Sequence, residues 1–251
     1  MNSDHTLRAL GMPLHGDSIT QNSAAVDKYA EAVGKFDAEQ LDEVINEQYR
    51  QAGCIAMSAE EYLASESGRA NSHIELYEIS KAPSTGEQGP SWWPENMAKP
   101  SSVKRPLAGL KVVDLTRVIA GPTITRELAE MGASVMRVTA PNITDLSSVH
   151  HDLNWGKWNC HLDLHSDADK LKLEKLIREA DVVVDGYRPG IMEKHGFGRD
   201  AIFNLVKDRS RGIIHVRENC YGWYGPWAHR SGWQQISDAV SGNALHGKNI
   251  R

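Results

Sequence analysis

Two apolar rhythms alternate along the second half of the chain. Short, nearly continuous apolar runs, "LKVVDL" at Leu110–Leu115 and "DVVVDGY" at Asp181–Tyr187, predict strands buried on both faces. "SVMRVTA", "WNCHLDLH" and "GIIHVREN" read as three more strands. Between them the spacing turns helical. "ITRELAEMG" predicts a helix ending at Gly132, and "DADKLKLEKLIREA" lines up Leu173, Leu176, Ile177 and Ala180 on one face. "GIMEKHG", "RDAIFNLVKD" and "GWQQISDAVSG" predict shorter helices. Strands alternating with helices predict an α/β fold over residues 107–251, with a parallel sheet covered on both faces.

The first third differs. Leu41, Val44, Ile45, Tyr49 and Ala52 recur at helical spacing, and Gly53 closes that helix. Ser58 followed by Glu61 is a capping-box pattern. "HIELYEIS", His73–Ser80, alternates unevenly and predicts a strand, which makes residues 1–81 a small α+β segment. Residues 82–106 carry five prolines among Gly and Ser and read as a linker, with Trp92 and Trp93 expected to lie against a surface.

Composition narrows the partners. The 251 residues are 40% hydrophobic and 24% charged, with a formal charge of −5 and a pI near 6.1. That balance offers no general attraction to nucleic acid or an anionic membrane, and neither partner is expected. No apolar run approaches the ~20 residues that span a bilayer. Cys54, Cys160 and Cys220 show no metal or redox spacing. An odd cysteine count behind a polar N-terminus favours a reducing compartment, and a cytoplasmic location is expected. A mitochondrial or peroxisomal address stays open, although "GKNIR" is not a peroxisomal tripeptide.

The loop after the first strand, "TRVIAGPTIT", is where chemistry is expected, because ligands of open parallel sheets gather at the C-terminal ends of strands. A Rossmann dinucleotide site would put G-x-G-x-x-G there; this loop has one glycine. NAD or FAD held in the usual way is disfavoured.

Residues Pro106–Val138, "PLAGLKVVDLTRVIAGPTITRELAEMGASVMRV", resemble the opening of class III CoA-transferases, the family of formyl-CoA transferase and carnitine CoA-transferase, related to alpha-methylacyl-CoA racemase. Four further pieces match in order: "NWGKWNCHLDL", "ADVVVDGYRPGIMEKHGFG", "YGPWAHRSGW" and "ISDAVSG". "AGCIAMSAEEYLASESGRAN" resembles the end of the family's small domain, as in tandem members where one partial copy precedes another. The resemblance implies a Rossmann-like sheet with flanking helices, an acyl-CoA substrate, a carboxylic acid acceptor and CoA transfer between them. Coenzyme A is then the only cofactor-like group expected, with no metal.

Carried over residue by residue, the resemblance places CoA along Ile119, Ala120, Leu162, Asp163, His165, Gly186, Tyr187, Arg188 and Lys194, with Trp233 and Gln234 by the thiol end. Tyr187 suits stacking on adenine, Arg188 and Lys194 suit phosphates, and His165 is a weaker, pH-dependent partner. Ile119 replaces a polar residue used by formyl-CoA transferase, which argues against formyl or oxalyl groups. His161, Asp163 and His165 share one strand face, but no further ligands converge on them for a metal. Trp223, Tyr224, Trp227 and Trp233 fit core or lid packing, or an acyl pocket.

The family attacks acyl-CoA with an Asp carboxylate that the resemblance places beyond the "SG" helix, so no residue here is assigned as catalytic. Asp238 falls inside that helix, off the nucleophile position. Racemases carry a His-Asp pair where this chain has Trp233 and Gln234, and neither is a general base. Family members form interlocked dimers, so a homodimer or a complementing chain is expected. Three readings stay open: an acyl-CoA transferase incomplete in this chain, a non-catalytic CoA-binding or partner-completed subunit or remnant, and, less favoured, a racemase-like enzyme.

Overall fold

A computed structural model describes residues 3–14, 22–82, 88, 91–93, 100–143 and 145–243. The chain packs as two compact units, Ile79–Glu218 and a second made of Met1–Glu78 with Asn219–Arg251.

The first unit is an α/β layer structure. Its five strands are β1 (Lys111–Leu115), β2 (Ser134–Thr139), β3 (Lys157–His161), β4 (Val182–Asp185) and β5 (Ile214–Arg217). They lie in the order β3-β2-β1-β4-β5 with every pair parallel, Val113 standing opposite Met136 and Val183. The apolar runs of β1 and β4 are two-sided for a reason visible in the core. Val113, Leu115 and Val183 pack with Leu173, Ile177, Met192 and Ile202, while Val112, Val182 and Val184 pack with Leu110 and Val135 in a separate cluster. Each such fully buried aliphatic contributes about 1.5–3 kcal/mol.

The helices follow from the same pattern. In helix Asp167–Glu179, Leu173 and Ile177 are buried, with Asp167 and Asp169 in the first turn and Arg178 in the last, as the helix dipole favours. Helix Ala120–Glu130 is followed at Gly132 by a left-handed backbone, φ +103°, where a Cβ would also lie 2.9 Å from Arg105 Cβ. Of the expected linker, residues 83–87, 89–90 and 94–99 lie outside the described residues. Trp93 packs against the second cluster and donates from its indole to the Ala108 carbonyl at 3.0 Å. Trp92 stacks on it at 4.1 Å and is otherwise exposed.

The second unit is helical among its described residues. The helix expected to run on from Leu41 stops at Glu43 and widens into a π-turn, Val44–Gln48. The cause is Asn46, whose side-chain amide donates to the Asp42 carbonyl at 2.9 Å and enters the backbone ladder. The capping box forms: Glu61 N–H donates to Ser58 Oγ at 3.2 Å and Ser58 N–H to Glu61 Oε2 at 2.7 Å. His73–Ser80 is not a strand. It pairs with no strand among the described residues, and Leu76 and Ile79 are 95% and 84% exposed. Residues 219–243 join this unit through Arg230, which pairs with Asp42 at 2.8 Å and Glu47 at 2.9 Å, and through Tyr221, whose hydroxyl donates to the Gly53 carbonyl at 3.1 Å. No helix among the described residues is long and apolar enough to cross a membrane.

Candidate functional site

The strand order fixes where a ligand belongs. The chain runs outward from β1 through β2 to β3, then resumes on the other side with β4 and β5, so its direction reverses between β1 and β4. Loops that leave the C-terminal ends of such a pair diverge and open a crevice. Here those loops are Thr116–Ile119 and Gly186–Gly190.

A buried polar network holds the first loop. Asp114, at the end of β1, accepts from Thr116 Oγ1 at 2.5 Å and Thr116 N–H at 3.0 Å through one oxygen. Its other oxygen accepts from Thr125 Oγ1 at 2.6 Å and Lys157 Nζ at 3.0 Å. Lys157 also donates to Thr125 Oγ1 at 2.7 Å and the Pro122 carbonyl at 2.8 Å. Both charged side chains are wholly buried. Desolvation draws the Lys157 ammonium below its usual range, and Asp114 opposes that fall. The network ties β1, β3 and the first turn of helix Ala120–Glu130 together.

Beyond it the loop is strained. Val118 has φ +70°, a left-handed conformation that a β-branched residue rarely takes. Its N–H donates to Asp145 Oδ1 at 3.3 Å, and Asp145 is itself held by Arg137 at 2.5 Å and His150 at 3.2 Å. Burial pushes the Asp145 carboxyl up, but the Leu146 amide, Arg137 and the Val118 amide together leave it below the ordinary range. Arg117 stands next to Val118 with its buried Nε meeting no acceptor among the described residues.

The expected ligand residues fall into three groups. Ile119 and Ala120, both exposed, lie at the start of helix Ala120–Glu130, across the crevice from Gly186, Tyr187 and exposed Arg188. Tyr187 is largely packed into the core, its N–H donating to Asp185 Oδ1 at 2.9 Å, and burial raises its phenol. The residue as a whole stays partly exposed.

Leu162, Asp163 and His165 follow β3, two strands from β1 and so about 10 Å away. Leu162 is a core residue whose N–H donates to the Thr139 carbonyl at 2.9 Å. His165 pairs with Asp163 at 2.9 Å, and the His165 N–H and side-chain bonds draw that carboxyl down. Lys194 ends helix Ile191–Lys194, and the residue after it, His195, bonds the Leu164 carbonyl at 3.2 Å and meets the His165 ring edge-on at 5.2 Å. Trp233 and Gln234 belong to the other unit, where Trp233 is the residue preceding helix Gln234–Val240 and Gln234 donates to Asp238 at 2.9 Å.

Two acids at the crevice escape sequence reasoning. Asp185 ends β4, and burial raises its carboxyl to about 6. Glu218 follows β5. Burial raises its carboxyl too, the Gly121 amide opposes the rise and Asp114 adds to it. The signal for Glu218 is indirect: Gly121 and Gly186 both stand where a Cβ would strike it, at 2.9 and 2.7 Å from Oε1. Among the described residues no group of three or more His, Cys, Asp or Glu side chains is placed to hold a metal.

A model of CoA-transferase family III matches residues 107–248. Acetyl-coenzyme A transferase nodX of Hypoxylon pulicicidum is 60% identical over 242 residues, covering 96% of this chain and 41% of that protein. An acyl-CoA transferase of Gibberella moniliformis is 37% identical over 246 residues, covering 97% of this chain and 42% of that protein. This chain therefore spans about two fifths of the length of those relatives. A CAIB/BAIF family protein from Brucella suis, solved by crystallography, shares 26% identity at a TM-score of 0.49, covering 57% of this chain and 40% of that one.

Proposed function

The chain belongs to CoA-transferase family III, and from that premise we propose that its sheet unit binds the CoA portion of an acyl-CoA for transfer of CoA between carboxylic acids. The observation that carries this reading is the crevice between β1 and β4, whose rim offers backbone, the partly exposed Tyr187 and the exposed Arg188 in place of a glycine-rich diphosphate turn. Ile119 and Ala120 flank the pantetheine arm, Tyr187 meets the adenine, and Arg188, Lys194 and His165 face the phosphates. The acetyl donor in the name of the 60% identical relative makes acetyl-CoA the first substrate to test.

No residue of the 251 is assigned the nucleophile, so transfer requires a carboxylate supplied in addition to these residues, from a longer polypeptide or a second chain. The protein works as a homodimer or with such a complementing chain, in the cytoplasm. A second reading is a CoA-binding subunit without chemistry of its own. The two separate on one experiment. Incubation with acetyl-CoA and hydroxylamine, for this chain and for a polypeptide of the relatives' length, leaves a hydroxamate on the protein itself only where one of its carboxylates has been acylated or thioesterified. Mass spectrometry of the protein reads that adduct apart from the acetohydroxamate that free acetyl-CoA gives. A hydroxamate from the longer protein supports transfer. None from either supports the subunit.

A further inference from the structure

The helix that follows the first strand of a nucleotide-binding sheet ordinarily takes a phosphate on its free N–H groups. In this chain that position is filled from within. Glu218 lies at the end of β5, its N–H toward the Asp185 carbonyl at 3.4 Å. Its side chain reaches past β4 to β1. A Cβ built on Gly186 would sit 2.7 Å from Glu218 Oε1, and one on Gly121 would sit 2.9 Å from the same oxygen. One carboxylate oxygen thus lies between the two loops that form the crevice, against the second residue of helix Ala120–Glu130. The remaining space is closed by Thr116, whose Cβ would be 2.6 Å from a Gly121 Cβ and 3.3 Å from a Gly186 Cβ.

We propose that Glu218 is a positioning and specificity-determining residue, an internal carboxylate that stands in for a ligand phosphate at this helix N-terminus. It reserves the loop Arg117–Ala120 for an uncharged part of the ligand. On the CoA reading, which this inference deepens, that part is the pantetheine arm, and the diphosphate lies elsewhere along the sheet edge. Three points then hold the strained loop: Thr116 on Asp114, Val118 on Asp145 and Gly121 on Glu218. The charge pattern acts in the same direction. A phosphate entering here would meet Glu218 and Asp185, with Asp114 behind them and Lys157 already paired to Asp114. The cations set against these acids are Arg117 in the loop itself and Arg217 beside Asp185.

Two arms test this. In the wild-type chain, inorganic pyrophosphate at millimolar concentration leaves the Gly121 amide resonance unmoved. A saturable shift of that resonance would overturn the proposal. In Glu218→Ala the lost atoms amount to an acetate ion, so acetate raises the melting temperature saturably, and chloride at equal ionic strength does not. Wild type and Glu218→Gln, whose site is filled, show no acetate response. CoA affinity in Glu218→Ala falls about tenfold, returns with saturating acetate, and stays near wild type in Glu218→Gln. Folded Glu218→Ala without acetate rescue would sink the idea. If that variant does not fold, the pyrophosphate arm decides alone. Should CoA fail to bind wild type, the functional reading falls, while the pyrophosphate and acetate melting results still judge Glu218.

Discussion

Replacing Lys157 with Met exposes the energetics of the buried network most clearly. The substitution keeps the length of the side chain and removes a wholly buried ammonium that Asp114 faces at 3.0 Å. At an effective dielectric near 20, the attraction lost is about 5–6 kcal/mol. The desolvation of the ammonium is regained, but Asp114 stays buried with Thr116 and Thr125 as its remaining donors among the described residues. Breaking a buried pair from one side in this way costs about 3–5 kcal/mol. That is a large part of the ~5–15 kcal/mol by which domains are ordinarily stable. Urea unfolding followed by circular dichroism measures the loss as a fall in midpoint at unchanged slope. Asp114→Asn in the Lys157→Met background removes the orphaned charge, so the double variant is more stable than Lys157→Met alone. A Lys157→Met variant within about 1 kcal/mol of wild type, or a double variant no more stable than the single, would refute the reasoning.

Two further predictions concern pH. Asp185 has a folded pKa raised to about 6 by burial, so its contribution is fully present below its ordinary value near 4 and is lost as pH rises through 6. Asp185→Asn keeps an acceptor for the Tyr187 amide and is more stable than wild type at pH 7.5, by at most about 3 kcal/mol, with the difference vanishing below pH 4. Melting curves across that range check it, and a difference independent of pH would count against it. His215 has the opposite sign. Burial, with Arg217 and Arg199 nearby, lowers its ring to about 4, and both ring nitrogens are buried without partners among the described residues. Its contribution is present above pH 6.5 and lost as pH falls through 4, so His215→Leu resists acid better than wild type. Equal acid midpoints for the two proteins would contradict this.

The sheet was legible because its strands are central and apolar on both faces, a pattern that "VVDL" and "DVVVD" carry locally. Helix Asp167–Glu179 was legible from its own periodicity. What escaped depends on residues far apart in the chain. Lys157 reads as an ordinary strand cation until β3 is brought through β2 to the face of β1 where Asp114 is buried. Glu218 gains its place only when β5, β4 and β1 lie side by side. The grouping of residues 219–251 with 1–78 has no local signature either, since it rests on Arg230 and Tyr221 meeting residues far earlier in the chain. His73–Ser80 misled in the other direction, because alternation predicts a strand only where a neighbour is available to pair with it.

The central claim is that the β1–β4 crevice of this chain recognises CoA and not a dinucleotide. Isothermal titration of the 251-residue chain with CoA, beside an identical titration with NAD, tests it most directly. The account predicts a saturable heat for CoA, weakened when Tyr187 is changed to Ala, and no heat for NAD. A chain that gives no heat with millimolar CoA, or that binds NAD as tightly, would contradict it.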